Sequence, residues 1–421
     1  MKIYLVGGAV RDMLLGKPVH DNDYVVVGGT ISDMLDAGYI RVGNDFPVFL
    51  HPITRDEYAL ARSEVSTGSG YTDFEFRFTP DITLEEDLVR RDFTINAMCF
   101  EADANDSYNY IKLVDPLGGK KDLDNKIIRH ISHHFQEDPL RVLRACRFAA
   151  TLGFEIAEET IVLMKSMVDK GMLAHLTAER VWKEIEKALH GDFPRFIYYL
   201  ARCDALKVVM PEVYDLISVP ERIEYHPEGT AYNHTILCLQ RARGLASEHQ
   251  AVLNFMCLCH DFGKLRTQEV WPSHHNHDQL GLEVIDGFCD RLKVPNVYRD
   301  MAKLGCKHHM RFYQYLDQQL KTHYDMINDI TGFKSVNKYK LDLVLLLHRA
   351  DITGRDGGVA VERLTNCNKV LDMVEKEYAI LEDKALADLD TEVQAHLSKF
   401  KGVEFGSEYR RARIDYLRKR L

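Results

Sequence analysis

The chain has 421 residues, more than one hydrophobic core usually supports, so we expect at least two domains. Its composition, 46% hydrophobic and 28% charged, is that of a globular protein and excludes global disorder. The net charge of −10 argues against a nonspecific nucleic-acid coat but leaves room for a local basic surface.

The sequence also carries signals of its compartment. The first apolar run is too short for a signal peptide, and no stretch approaches the length of a membrane span. The nine cysteines form no C-x-x-C pair, which suits a reducing environment. We therefore expect a cytoplasmic protein that makes no contact with a membrane.

The first 130 residues mix strand and helix signals. Strands are predicted at five segments rich in valine, tyrosine and phenylalanine, namely KIYLVGG, DYVVVGG, YIRVGN, FPVFLHP and YALARSE. Short helices closed by glycine are predicted at AVRDMLLG and ISDMLDAG. The segment STGSGYTDFEF, residues 66–76, reads as a flexible loop.

From about residue 134 the pattern becomes helical almost throughout. The amphipathic segments with acidic starts and glycine stops are EDPLRVLRACRFAATLGF, EETIVLMKSMVDKGML and TAERVWKEIEKALHG. Pro211, Pro220 and Pro227 predict a linker. A histidine-rich helical region follows from about residue 226 to 355, and a polar tail ends the chain.

Asp21 and Asp23 stand one residue apart at the start of a β-branched run. Alternate side chains of an extended chain point the same way, so both carboxylates should share one face. An isolated D-x-D is most often a loop aspartate beside a solvated one. Here the turn Gly7-Gly8 and Arg11 precede the pair, and backbone N–H groups with a guanidinium suit a triphosphate. These features predict Mg²⁺ and a nucleotide, and they resemble the polymerase-β-type nucleotidyltransferases.

Two further polar segments follow. In RRDFTINAM, residues 90–98, the polar side chains Arg90, Arg91, Asp92 and Asn96 recur at helical spacing, which a solvated helix face would also explain. In EDPLRVLR, residues 137–144, a helix would place Asp138, Arg141 and Arg144 on one face. The plain alternative there is an i, i+3 salt bridge.

The functional hypothesis for the second segment concerns base recognition. A carboxylate accepts hydrogen bonds from an exocyclic amino group, and an arginine donates to ring nitrogens or carbonyl oxygens. Cytosine and adenine each carry an amino donor beside an acceptor. An aspartate with an arginine can therefore read C and A without a nucleic-acid template.

The motifs GGAVRD, DND, RRDFTINAM and EDPLRVLR, in this order and spacing, resemble the bacterial class II CCA-adding enzymes, or tRNA nucleotidyltransferases. The resemblance covers roughly the first 140 residues. It implies addition of C, C and A to the tRNA 3′ end from CTP and ATP, with Asp21 and Asp23 as catalytic ligands of Mg²⁺. It implies that the nucleotide is bound by Gly8, Arg11, Arg91, Asp138, Arg141 and Arg144. A third carboxylate is not fixed, and Asp92 and Glu64 are the candidates.

The C-terminal half carries a second constellation. His260-Asp261 follows the apolar run from Leu253 to Cys259, His234 lies earlier and Asp351 later. Taken singly, a His-Asp dipeptide is more often structural. The set resembles the HD phosphohydrolases, in which imidazoles and carboxylates bind a divalent metal that activates water. Further candidate ligands for a second ion are His274, His275, His277, His308 and His309.

An imidazole-rich site suits Ni²⁺, Co²⁺ or Mn²⁺ better than Mg²⁺. Some CCA-adding enzymes carry such an HD domain, which implies phosphatase, 2′-nucleotidase and 2′,3′-cyclic phosphodiesterase activity, with His260 and Asp261 as catalytic residues. An inert, metal-stabilised module is the alternative for this half.

We therefore predict an α+β chain that begins with a polymerase-β-like nucleotidyltransferase head, a mixed sheet with helices, and continues as all-α domains. The predicted divisions are a head (1–133), a helical neck and body (134–222), an HD domain (223–356) and a helical tail (357–421). The expected partners are tRNA, CTP and ATP, in a monomer or a homodimer. Poly(A) polymerase, or an RNA-binding or nucleotide-sensing protein with an inactive head, are the alternative functions.

Overall fold

The structure is a computed structural model that describes residues 1–19, 21–42, 47–66, 74–102, 110–355, 361–382, 389 and 391–421. The chain forms two compact units, one of Met1–Leu176 with Tyr198–Ala205 and one of Thr177–Ile197 with Leu206–Leu421. The finer boundaries expected at residues 133, 222 and 356 stay a prediction.

The strands of the described residues all lie in the first unit. They are β1 (Lys2–Val6), β2 (Asp23–Val27), β3 (Ile40–Arg41), β4 (Val48–Leu50), β5 (Glu57–Leu60), β6 (Ser63–Ser66), β7 (Phe74–Arg77), β8 (Cys99–Ala102), β9 (Tyr110–Val114), β10 (Ile127–Ile128) and β11 (Glu155–Ile156). The five predicted strands are confirmed as β1 to β5, because their β-branched and aromatic residues fit a half-buried pleated surface.

The main sheet of the first unit is mixed and runs in the order β3-β4-β5-β2-β1-β8-β9. β1 pairs antiparallel with β2, so that Val6 lies opposite Asp23, whereas β2 pairs parallel with β5. The predicted mixed-sheet head is therefore confirmed. The buried residues Leu5, Val25 and Phe49 belong to the core of this sheet.

The helices of the first unit cover and extend this sheet. They are α1 (Gly8–Leu14), α2 (Ile31–Asp36), α3 (Leu84–Val89), α4 (Gly119–Asp124), α5 (Leu140–Leu152) and α6 (Glu158–Asp169), with 3-10 turns at Thr94–Asn96, His133–Glu137 and Met172–His175. α2 and α3 begin with capping boxes, formed by Thr30 with Asp33 and by Thr83 with Glu86.

The remaining helices are α7 (Ala178–Leu189), α8 (Phe193–Arg202), α9 (Leu206–Val209), α10 (Pro211–Asp215), α11 (Ala231–Ala242), α12 (Gln250–Cys259), α13 (His277–Leu292), α14 (Asn296–Tyr313), α15 (Leu320–Thr331), α16 (Lys338–Thr353), α17 (Val361–Leu381), α18 (Thr391–Leu397) and α19 (Gly402–Arg418). Apart from the end of α8, they build the second unit. α12 is buried along most of its length and packs against α11, α14 and α16. Trp182 of α7 contacts Phe255 and Tyr298 edge-on, with ring centroids 5.6 and 5.1 Å away.

Three local expectations are wrong. Ser66 pairs with Phe74 in a β6–β7 hairpin, so the ends of the predicted loop are strands, and residues 67–73 lie outside the described ones. Phe74 and Phe76 alternate with polar residues, a strand pattern. The predicted proline linker is folded, because Pro211 opens α10 and its neighbours Val213 and Leu216 are buried.

The third wrong expectation is regular helical spacing in RRDFTINAM. Arg90 ends α3, Phe93 is extended and bridges to His130, and only a 3-10 turn follows. Among the described helices, none combines the length and the apolar character needed to cross a membrane.

Candidate functional site

The first candidate site lies at one edge of the main sheet. Because Val6 is opposite Asp23, the turn that follows β1 adjoins the segment that leads into β2. Gly7 has φ +74° and ψ −135°, a backbone conformation that only glycine adopts readily. The register therefore brings the glycine turn and the Asp21–Asp23 segment together, as the sequence predicted.

Two arginines line the glycine turn. A Cβ at Gly7 would meet Nη1 of Arg91 at 3.4 Å, and a Cβ at Gly8 would meet Nη2 of Arg11 at 3.5 Å. The turn thus has just enough space for both guanidinium groups beside its backbone. The structure thus brings together three residues that the sequence predicted for nucleotide binding, Gly8, Arg11 and Arg91.

The same edge of the sheet carries a third carboxylate beside the predicted pair. Asp23 lies beside Glu57 in the parallel register of β2 and β5, a neighbour that the sequence analysis missed. Partial burial raises the pKa of Asp23, and the charge of Glu57 raises it further, while Arg91 opposes them. Clustered carboxylates that repel one another in this way suit a divalent cation bound by oxygen ligands.

Asp92 belongs to a buried network. Its Oδ2 accepts from Nε and Nη2 of Arg144 at 2.9 and 2.5 Å, and its Oδ1 accepts from Nδ2 of Asn96 at 3.0 Å. The amide oxygen of Asn96 in turn accepts from Nη1 of Arg11 at 2.8 Å. Burial raises the pKa of Asp92, but the charge of Arg144 and the hydrogen bonds from Asn96 and Arg144 together outweigh burial and lower that pKa. The network orients Arg11 and Arg144 from opposite ends.

The segment 137–144 differs from its prediction. α5 begins at Leu140, so Asp138 is extended and stands outside the helix, where its Oδ1 accepts from the N–H of Leu140 at 3.0 Å. Asp138 precedes Pro139, and proline disfavours helical conformation in the residue before it. Arg141 and Arg144 do share α5, and Arg141 donates to the carbonyls of His134 and Arg90 at 2.7 Å each.

The second candidate site lies in the helical unit, where the four predicted residues come together. Nε2 of His234 lies 3.1 Å from Oδ1 of Asp351 and 3.9 Å from Oδ2 of Asp261. Nε2 of His260 lies 3.3 Å from the same Oδ2. α11 supplies His234, the end of α12 supplies His260 and Asp261, and α16 supplies Asp351. All four are buried.

A second group meets at the other oxygen of Asp261. Nε2 of His277 and Nε2 of His309 lie 3.4 and 3.6 Å from Oδ1 of Asp261 and 3.0 Å from each other. Of the further predicted ligands, these two are in place. The others are held elsewhere: His274 contacts Thr267 and the Pro220 carbonyl, His275 contacts Ser273, and His308 contacts Asp329.

The outer nitrogens of these imidazoles are anchored. Each Nδ1 donates to a fixed acceptor at 2.7–2.9 Å, the pairs being His260 with the Cys257 carbonyl, His277 with the His274 carbonyl, His309 with the Cys306 carbonyl and His234 with Glu228. In the neutral tautomer that these bonds favour, each Nε2 carries a lone pair that faces the carboxylate of Asp261. Glu228, which orients His234, was not identified from the sequence.

This donor set fits a divalent cation. Within the described residues, the buried Nε2 of His260 has no hydrogen-bond partner, and the Nε2 atoms of His277 and His309 lie 3.0 Å from each other. Burial raises the pKa of Asp261, but the contacts of Asp261 with His260 and Lys264 outweigh burial and hold that pKa well below its usual range. Burial and the charge of His309 lower the pKa of His277 to about 3, which keeps its imidazole neutral and able to bind a metal.

Family models match the segments of the chain that carry both sites. The family model of the poly(A) polymerase head domain matches residues 3–129, that of the probable RNA and SrmB-binding site of polymerase A matches residues 153–216, and that of the HD domain matches residues 231–353. The chain is an enzyme that combines a nucleotidyltransferase head with an HD phosphohydrolase domain, and both kinds of domain depend on metal ions.

The multifunctional CCA protein of Vibrio vulnificus strain YJ016 is 43% identical over 427 aligned residues, which cover 100% of this chain and 99% of that relative. The fold is shared with a CCA-adding enzyme in complex with ATP (TM-score 0.65, 21% identity, 99% of this chain and 86% of that one). It is also shared with the Thermotoga maritima CCA-adding enzyme complexed with tRNA (TM-score 0.65, 20% identity, 100% and 87%). The chain belongs to the family of multifunctional CCA proteins, which confirms the resemblance stated above.

Proposed function

We propose that this chain adds C, C and A to the 3′ end of tRNA, using CTP and ATP, in the cytoplasm. The observation that supports this most directly is the sheet edge where the glycine turn, two arginines and the carboxylates meet. Two proteins of similar fold are CCA-adding enzymes, one in complex with ATP and one in complex with tRNA, and the Vibrio vulnificus relative is a multifunctional CCA protein. We expect the enzyme to be a monomer or a homodimer.

In the proposed reaction the tRNA 3′ hydroxyl releases its proton to water, its oxygen forms a bond to the α-phosphorus, and the bond from that phosphorus to pyrophosphate breaks. The N–H groups of the Gly7-Gly8 turn and the guanidiniums of Arg11 and Arg91 bind the triphosphate. Asp21 and Asp23 would hold Mg²⁺, which would neutralise negative charge on the phosphates. Glu57 adds negative charge beside Asp23 and so strengthens the attraction for the cation.

For base choice we propose Asp138 and Arg141, with Arg144 as a positioning residue. Arg141 is fixed by two backbone carbonyls, so its remaining N–H donors are held in one orientation. Asp138 is tied to the start of α5 by the N–H of Leu140, and its carboxylate would accept a hydrogen bond from the amino group of the base. Arg144 holds Asp92, and through Asn96 this network reaches Arg11.

For the HD domain we propose hydrolysis of phosphoesters at the tRNA 3′ end: phosphatase, 2′-nucleotidase and 2′,3′-cyclic phosphodiesterase activity. His234, His260, Asp261 and Asp351 would hold Ni²⁺ or another transition ion, which would activate water. In the monoester reaction the water oxygen bonds to phosphorus, the bond to the ribose oxygen breaks, and a water proton goes to that oxygen. The products are a ribose hydroxyl and inorganic phosphate.

The test is sequential nucleotide addition. A tRNA that lacks its 3′ end is incubated with CTP alone, ATP alone, and both. Two C residues, followed by a single A only after them, support the proposal. Long A tails without C would establish poly(A) polymerase instead, and no incorporation would establish an inactive head.

Two variants separate the sites. Asp21→Ala should abolish nucleotide addition and leave phosphodiesterase activity, and His260→Ala should do the reverse. Each variant is therefore the folding control of the other. If a still-folded single variant lost both activities, the two sites would not be independent.

A further inference from the structure

The HD site opens into a cavity of about 650 Å³ whose wall includes residues of the C-terminal tail. The tail contributes Arg363, Asn366 and Val370 of α17, beyond the matched HD segment. The cavity beside the HD site is therefore large enough to hold a substrate molecule.

The charges around this cavity are uneven. Lys264 lies 2.8 Å from Asp261 and 2.6 Å from Glu221, so two carboxylates neutralise it. Arg355 also lines the cavity, and within the described part of the chain it makes no ion pair. A phosphate that approaches the carboxylates of the metal cluster needs an unpaired cation, and Arg355 is one.

Arg355 is held in a fixed position. Its Nη1 donates to the Tyr225 carbonyl at 3.0 Å, and its Nη2 donates to the Tyr313 hydroxyl at 2.7 Å. The Tyr313 hydroxyl also interacts with Asp351, so it stands between the guanidinium and the metal cluster. Two hydrogen bonds in series span about 5–6 Å, a distance that one phosphate group bridges. Nε of Arg355 is buried and has no partner among the described residues.

We propose that Arg355 binds the phosphate group of the HD substrate, with Tyr313 as its positioning residue. The proposal rests on the phosphohydrolase function proposed above and names the residue that recognises the scissile group. Arginine offers paired N–H donors that match two phosphate oxygens, which lysine does not.

The experiment measures inorganic phosphate binding to the metal-loaded full-length enzyme by calorimetry, for wild type, Arg355→Met and Arg355→Lys. Arg355→Met should weaken phosphate binding about tenfold or more, and Arg355→Lys should weaken it less. Arg241→Met is the matched control, because Arg241 also donates to a backbone carbonyl of this unit, that of Thr353, and does not line the cavity. Metal content by elemental analysis should be the same in all four proteins.

Turnover of 2′,3′-cyclic AMP gives a second measurement. If Arg355 binds substrate and transition state alike, Arg355→Met should raise KM about tenfold with little change in kcat. Tyr313→Phe should give a smaller rise, since it removes only the hydroxyl that holds the guanidinium.

Several outcomes would overturn the assignment. They are wild-type protein that binds no phosphate, Arg355→Met that binds phosphate as wild type does, and loss of phosphate binding only together with loss of metal. If Arg355→Met does not fold, unchanged phosphate affinity in Arg355→Lys would overturn it as well. Phosphate binding that depends on Arg355 in an enzyme without phosphoesterase activity would refute the proposed function and leave this inference standing.

Discussion

Asp92→Asn is the sharpest test of the buried network in the head. The change keeps the shape of the side chain but places an amide beside Arg144, which donates to Oδ2 of Asp92 through two nitrogens at 2.9 and 2.5 Å. Losing a charged partner from such hydrogen bonds costs about 1.5–3 kcal/mol. The Arg144 side chain is 33% exposed and can turn partly to water, so we expect about 2 kcal/mol.

The assay is amide hydrogen exchange by mass spectrometry. Both tryptophans, Trp182 and Trp271, belong to the second unit, so tryptophan fluorescence would not report on the head. A loss of about 2 kcal/mol should lower the protection of the slowest amides in β1, β2 and β8 about 30-fold. The control Asp12→Asn weakens the ion pair of Asp12 with Arg11, at the outer end of the same network. It should lower the protection of the same amides less than about fivefold.

The pH dependence has a definite sign. The folded pKa of Asp92 is lowered, so its stabilisation is complete above the unfolded value of about 3.9 and is lost as the pH falls through the folded pKa. The deficit of Asp92→Asn should be constant between about pH 6 and 8 and should shrink below about pH 4. Unchanged protection at neutral pH, or a drop equal to that of Asp12→Asn, would refute the reasoning.

Other perturbations have equally definite expectations. Gly7→Ala places a side chain at φ +74°, a backbone conformation that favours glycine, at about 1–3 kcal/mol of strain. It should weaken the binding of CTP and of ATP alike, as measured by calorimetry, and unchanged affinities would contradict a phosphate-binding role of the turn. Asp138→Ala should relax base choice more than it weakens tRNA binding, and retained discrimination against UTP would count against that role. A chelator should stop phosphodiesterase activity, with transition ions restoring it better than Mg²⁺; the reverse preference would disprove the proposed ligand set. His277→Ala should lower the number of bound metal ions, and an unchanged metal count would show that the second group binds none.

The parts predicted from sequence are those that local patterns determine. The strands β1 to β5 follow from short β-branched and aromatic runs, and the His-Asp dipeptide follows from its position after the apolar helix α12. The extended conformation of Asp138, just before α5, also has a local signal in the sequence, because a proline follows this residue.

The rest depends on pairings between distant parts of the chain. Glu57 reaches Asp23 only because β2 and β5 pair in parallel, and no local pattern specifies that partner. His308 and His309 are neighbours in sequence, yet one turns toward Asp329 and the other toward Asp261, because successive residues on a helix point about 100° apart. The packing of α14 decides which of them enters the metal site.

The pairing of β1 with β2 has a consequence for how the enzyme is made. The glycine turn and the aspartates meet across one short connection, residues 7–22, so bringing them together costs little loop entropy. Arg91 and Arg144 join much later in the chain. During synthesis from the N-terminus, the acidic corner can form with Arg11 already present while Arg91 and Arg144 are still missing, and nucleotide capture has to wait for these two arginines.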